Sequence, residues 1–219
     1  MKTRKRLRLS GFDYSRPNAF FVTICCDQHR HLFGQITNGV MHLNANGQFT
    51  HGQWLALGDT YPHIDLGEFV IMPNHMHGVI YLGEWDNGNG ADVDNPAGGG
   101  KPLPCQPNHD GGVREGLAPS LGSNLHPNNP PTLSEIIGAY KSLTYRDCMA
   151  LANINNERLG KLWHRSYHEN IIHMPEAARR IRHYIRNNVK TWDRDRFHRA
   201  KLSNKKSRNH YWVRDHQST

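Results

Sequence analysis

Two histidines one residue apart, His75 and His77, stand in an apolar stretch, residues 69–82, that is broken by Pro73-Asn74. A β-strand alternates faces with period two, so both imidazoles point one way and Met76 points into the other layer. Two imidazoles on one face of a buried strand make a rigid half-site for a metal ion. The alternative is a pair of core histidines hydrogen-bonded to their neighbours, because buried polar groups need partners. Sixteen histidines in 219 residues give about one such pair by chance, so the spacing alone proves nothing. A second pair, His29-Arg30-His31, lies in a polar turn with nothing apolar around it and reads as surface.

A metal needs a further ligand. No HExxH occurs, which excludes a zincin-type site. The run Arg179-Arg180-Ile181-Arg182-His183-Tyr184-Ile185-Arg186-Asn187-Asn188 reads as a helix rich in arginine, as a phosphate-binding helix would be. Tyr184 and Asn188 are four apart and share a face. An Asn188 carbonyl with two imidazoles and waters suits Mg²⁺ or Mn²⁺. Tyr184 beside such an ion suits a nucleophile; on spacing alone it equally suits a packing tyrosine. Tyr140 sits in an apolar stripe and reads as core, whereas Tyr167 could line the site.

The elements that must position these groups follow in order. Residues 19–26 are apolar and β-prone, a central strand. Residues 33–43 suggest a short hairpin. Residues 44–58 have helical spacing at Phe49, Trp54, Leu55 and Leu57, with Asn44 or Asn46 as cap. Two strands pair around Pro73-Asn74. Thr132 and Glu135 form a capping box for a helix to about residue 150, whose face Leu133, Ile136, Ile137, Tyr140, Leu143 is core-like. Residues 162–168 alternate as a strand. Pro175-Glu176 opens a third helix, from Ala177 to about Lys190. The order is βαββαβ plus a terminal helix: an α+β protein with a ferredoxin-like, split β-α-β antiparallel sheet. His75 and His77 fall on a central strand, with helices covering one face.

Residues 1–10 form a basic arm with five Lys or Arg and no acid. The folded domain spans 11–192 and is interrupted by residues 86–130, where 23 of 45 positions are Gly, Pro or Asn. Such a stretch buries too little apolar surface to offset its ordering entropy and reads as a flexible insertion. Its Gly98-Gly99-Gly100-Lys101 is not a phosphate loop, because Asn95 stands where glycine is required and Pro102 replaces Ser or Thr. Residues 193–219 are a basic tail. Net charge is +8 with pI near 9.5, which favours a polyanionic partner, nucleic acid first. Trp192, Tyr211 and Trp212 among the cations suit rings on bases and cations on phosphates. No apolar run approaches a membrane span and no signal peptide is visible. Cys25, Cys26, Cys105 and Cys148 lack CxxC spacing and read as a reduced, cytoplasmic set.

Here the sequence resembles a family. Met72-Pro73-Asn74-His75-Met76-His77 is similar to the HUH motif of single-tyrosine transposases. Residues 14–25 resemble that family's first strand. Ile136-Ile137-Gly138-Ala139-Tyr140-Lys141-Ser142 and Leu162-Trp163-His164-Arg165-Ser166-Tyr167 resemble its middle blocks. Tyr184-Ile185-Arg186-Asn187-Asn188 resembles the tyrosine block of the REP-associated tyrosine transposases. The likeness covers about residues 4–85 and 131–192. Asn188-Val189 departs from the usual Asn-Pro, and the long insertion is atypical, but neither removes a reacting group.

The resemblance implies a metal-dependent transposase acting on single-stranded or hairpin DNA. His75, His77 and Asn188 would hold Mg²⁺ or Mn²⁺, and Tyr184 would cleave the strand and remain attached as a 5′-phosphotyrosine. It further implies a nucleoid-associated protein, either monomer or homodimer. The competing class is a binding module that keeps the fold and holds structured repeat DNA without cutting it. A metallohydrolase of small phosphoesters is a third reading, but it would call for more carboxylates and leaves the basic termini unexplained.

Overall fold

A computed structural model of the chain describes residues 16–84 and 130–198. The basic arm, the insertion and the tail aromatics Tyr211 and Trp212 lie outside the described residues.

Residues 18–25, NAFFVTIC, are β-branched and aromatic enough to be buried on both faces and form β1, Asn18–Cys25. A 3-10 turn at Asp27–His29 leads to the small hairpin β2, Gly34–Thr37, and β3, Val40–Leu43. Helix α1, Ala45–Thr60, is capped by Asn44, whose side chain accepts from the Gly47 N–H at 2.9 Å. Strands β4, Ile64–Met72, and β5, His75–Leu82, form the hairpin around Pro73-Asn74. Helix α2, Leu133–Ile154, opens with the Thr132/Glu135 capping box and runs one turn further than its sequence suggests. Strand β6, His168–Ile171, and helix α3, Pro175–Asn188, complete the order, and a 3-10 turn, Val189–Arg194, continues from α3.

The main sheet has the order β4-β5-β1-β6 with every neighbour antiparallel. This is the α+β, ferredoxin-like split β-α-β arrangement, with the β2-β3 hairpin inserted before α1. Strand β5 is central, as expected.

Two sequence expectations change. Residues 162–167 do not form a strand of the sheet. Leu162 and Trp163 are both buried, but through a single bridge from Trp163 to Cys26 and a bond from Asp27 N–H to the Leu162 carbonyl. The ladder partner of β1 is the short segment that follows, paired over Phe20–Thr23 with His168–Ile171. Second, the helices do not all cover one face. Phe20, Val22, Ile24, Met76, Ile80 and Leu82 point into a large core with Trp54 of α1 and Ile136, Ile137 and Tyr140 of α2. Alternating residues Phe21, Val79 and Tyr81 point the other way, onto Ile181 and Ile185 of α3. A side-chain period of two therefore sends His75 and His77 to the α3 face.

Gly78 is required on the α1 side. A Cβ there would lie 2.3 Å from the Trp54 ring, and Trp54 is itself completely buried. That close approach lets the indole fill the space behind the histidine strand.

Candidate metal and tyrosine site

The register of β1 on β5 places Thr23 opposite His77 and Cys25 opposite His75. Thr23 Oγ1 lies 2.8 Å from His77 Nδ1. His75 Nδ1 lies 2.8 Å from Asn74 Oδ1. Asn74 is oriented by its own amide nitrogen, which donates to the His29 carbonyl at 3.2 Å and the Phe197 carbonyl at 3.0 Å. Its oxygen must therefore accept, so His75 carries its proton on Nδ1 and presents a bare Nε2 lone pair. That Nε2 faces His77 Nε2 at 3.1 Å.

A hydrogen bond between the two nitrogens requires a proton on His77 Nε2. A cation can take that proton's place if His77 moves its hydrogen to Nδ1, where Thr23 Oγ1 stands ready to accept it. Orientation of both imidazoles by a second ring of oxygens is what metal-binding histidines require. Burial holds His75 well below the ordinary histidine range, with His77 adding to the effect. Burial, with Arg196 adding, brings His77 down to about 3. Both rings are thus neutral at physiological pH, the form that binds metal.

A carboxylate completes the cluster. Asp195 follows the 3-10 turn after α3 and its side chain is 5 % exposed. Its Oδ1 accepts the Phe197 N–H at 2.6 Å, which leaves Oδ2 facing His75 Nε2 at 4.0 Å. One donor atom each from His75, His77 and Asp195 lies within 4.8 Å of the others. Burial raises the Asp195 carboxyl above the ordinary range, against the opposing pull of the Phe197 N–H and of Arg196. The donor set and its spacing fit a divalent ion.

Tyr184 reaches the same point from α3. Its hydroxyl is 3.1 Å from His77 Nε2, and its ring packs edge-on to His77 at 5.1 Å and to Phe21 at 6.1 Å. Burial and then the Asp195 charge raise its pKa, while the Asn188 amide lowers it. The phenol is therefore held protonated. Asn188 is 1 % exposed. Its amide biases Tyr184 and Asp195 toward ionisation. Yet its Oδ1 and Nδ2 make no hydrogen bond of good geometry among the described residues. The amide thus stands within reach of both the phenol and the carboxylate, beside the two histidines.

All four residues singled out from the sequence, His75, His77, Tyr184 and Asn188, thus come to one side of β5. Asp195 is the member of the cluster that sequence reasoning missed, because it falls in a segment read as basic tail. The available signal was a pair of acids, Asp193 and Asp195, between Trp192 and Phe197 in an otherwise cationic run. That segment packs on the site: Phe197 lies 4.7 Å and Trp192 6.0 Å from the His75 ring. Trp192, expected to stack on a base, is instead 7 % exposed and engaged with His75, His31 and His198. Tyr140 is core, donating to the Thr50 carbonyl at 3.1 Å. Tyr167 packs against the α1/α2 core, with its hydroxyl 3.4 Å from Ser134 Oγ, and is not part of the cluster. His31 is exposed as expected, whereas His29 is half-buried against Phe197.

Fold and site together define an α+β protein with a histidine pair on its central strand, closed by a tyrosine helix and a carboxylate. The chain belongs to the same family as a Haemophilus influenzae protein described as uncharacterized, with 30% identity over 195 residues, 89% of this chain and 93% of that one. No family model matches. Among solved structures, the chain resembles a REP-associated tyrosine transposase bound to a REP hairpin, at TM-score 0.49 and 14% identity over 88% of this chain and 74% of that one. It also resembles a transposase from Deinococcus radiodurans described as putative, at TM-score 0.37 and 14% identity over 85% and 97% of the two chains.

Proposed function

We propose that the protein is a divalent-metal-dependent strand transferase of single-stranded or hairpin DNA, using Tyr184 as nucleophile. The observation that carries the reading is the convergence on one point of the Tyr184 hydroxyl, two neutral imidazole nitrogens and the Asp195 carboxylate. A structural tyrosine needs only one hydrogen-bond partner; this one stands against a donor set that fits a cation. His75, His77 and Asp195 would hold the ion, with the Asn188 amide as a further contact. When bound, Mg²⁺ or Mn²⁺ supplies charge stabilisation for a phosphodiester oxygen.

The chain's own groups do the rest. Phe21, Phe197 and Trp192 surround the imidazoles and limit access of water. Ile181 and Ile185 fix α3 on the sheet, so Tyr184 is positioned by packing rather than by a loop. Its oxygen attacks phosphorus as the phenolic proton is passed on to the departing 3′ oxygen. The Oη–P bond forms, the P–O3′ bond breaks, and the 3′ oxygen departs as a hydroxyl. The 5′-phosphotyrosine keeps the energy of the diester, so a 3′-hydroxyl can reverse the step without a nucleotide cofactor. That agrees with the missing phosphate loop. The net charge of +8 suits a nucleic-acid substrate.

The test is incubation of labelled single-stranded hairpin DNA, drawn from sequence flanking the gene, with Mg²⁺ or Mn²⁺. A denaturing gel should reveal a covalent protein–DNA adduct that is lost on chelation and in Tyr184→Phe. Hairpin binding with no adduct on a broad substrate set would instead favour the non-cleaving module.

A further inference from the structure

Helix α3 carries two arginine-bearing flanks that differ in what they touch. On one, Arg186 Nη2 lies 2.8 Å from Glu68 Oε1 and Arg182 Nε lies 4.0 Å from the same oxygen. These cations brace the helix against β4. On the other flank, Arg180, Tyr184 and Asn187 follow at spacings of four and three, which places them in one row, continued by Thr191 of the 3-10 turn. With Arg179 and His183 they line an open groove of about 630 Å³. The side chains of Arg180 and His183 are exposed and have no partner among the described residues; Arg179 has only an exposed pair with Glu176 at 3.3 Å. Tyr184 is one of its lining residues.

We infer that this groove seats the single-stranded DNA directly adjoining the scissile phosphate. Arg179 and Arg180 would meet its backbone phosphates, and His183 would offer a ring to a base. The inference rests on the strand-transferase reading and names the strand path that reading needs. Three observations favour this occupant. The charge complements a phosphodiester chain, and on this flank it is not spent on bracing the helix. Asn187 and Thr191 both use their side chains on backbone carbonyls of their own helix, at 2.9 and 3.1 Å, which keeps them from blocking the row. The volume lies in the range of sites for small ligands, enough for a short unpaired stretch and too small for a duplex.

The experiment uses the full chain and a fluorescein-labelled oligothymidylate of about 16 nucleotides. Affinity is measured against salt for wild type, Arg179→Ala/Arg180→Ala, and Arg186→Ala. Removing one cation from a phosphate lowers the salt slope by about 0.7 for a single strand. By that figure the double variant should show a slope smaller by about 1.4, while Arg186→Ala keeps the wild-type value. An unchanged slope in the double variant overturns the groove, as does an equal fall in Arg186→Ala, which would mean diffuse attraction. If wild type forms the Tyr184 adduct but the double variant binds as wild type does, the groove fails and the strand-transferase reading stands. If wild type binds no oligothymidylate and forms no adduct, both fail.

Discussion

Thr23→Val removes one hydroxyl and leaves the side-chain volume nearly unchanged. Thr23 is 4 % exposed and its oxygen is 2.8 Å from His77 Nδ1. Without metal, the variant leaves a buried ring nitrogen unpaired, which costs about 1–3 kcal/mol. With metal, His77 must carry its proton on Nδ1 and has nowhere to donate it. Loss of such a supporting partner lowers metal affinity by about 10–100-fold. Urea denaturation with EDTA, and again with Mn²⁺, separates the two effects. Stability with EDTA should fall by about 1–3 kcal/mol. The extra stability conferred by Mn²⁺ should fall by about a further 1.4–2.8 kcal/mol, because a ligand stabilises only through its affinity for the folded state. Thr23→Ser, which keeps the hydroxyl, should recover most of the Mn²⁺ response. An unchanged Mn²⁺ increment in Thr23→Val, at reduced baseline stability, would refute the tautomer argument.

Gly78→Ala should destabilise the fold by about 1–3 kcal/mol by forcing the Trp54 ring out of its place, measurable as a lower urea midpoint with unchanged slope. Asp195→Ala should weaken Mn²⁺ binding more than Asp193→Ala does, read by isothermal titration, since only Asp195 faces His75. The pH dependence follows from the lowered histidines. His75 and His77 resist protonation in the fold and accept it readily when unfolded. Their contribution to stability is therefore fully present above pH 6.5 and declines on acidification. For His77 the loss continues down to about pH 3, with a slope of up to about 1.4 kcal/mol per pH unit for each histidine. A flat stability profile from pH 6.5 to 4 would contradict the burial of both rings.

The sequence carries the site's centre clearly because strand periodicity is local. Once residues 75–82 form a strand, His75 and His77 must share a face and Met76 must oppose them. The Thr132/Glu135 box and Asn44 cap are legible for the same reason: each is settled within four residues. What failed depends on distant partners. Residues 162–168 alternate like a strand, yet β1 selects the more polar His168–Ile171 as its partner, while Leu162 and Trp163 are buried by the loop after β1. Asp195 was hidden for a related reason. A carboxylate in a cationic segment looks solvated until Trp192 and Phe197 fold back on His75. No periodicity in the segment announces that return. The placement of α3 opposite α1 and α2 likewise follows from Phe21, Val79 and Tyr81 needing cover, a fact of the whole sheet.

The central claim is that Tyr184 forms the bond to DNA. Tryptic digestion of the adduct, followed by mass spectrometry, tests it most directly. Cleavage after Arg182 and Arg186 isolates the tetrapeptide His183-Tyr184-Ile185-Arg186. The account predicts that this peptide carries the nucleotide mass through a 5′ phosphate. Nucleotide mass on the peptide containing Tyr167, or on any other tyrosine, would contradict it.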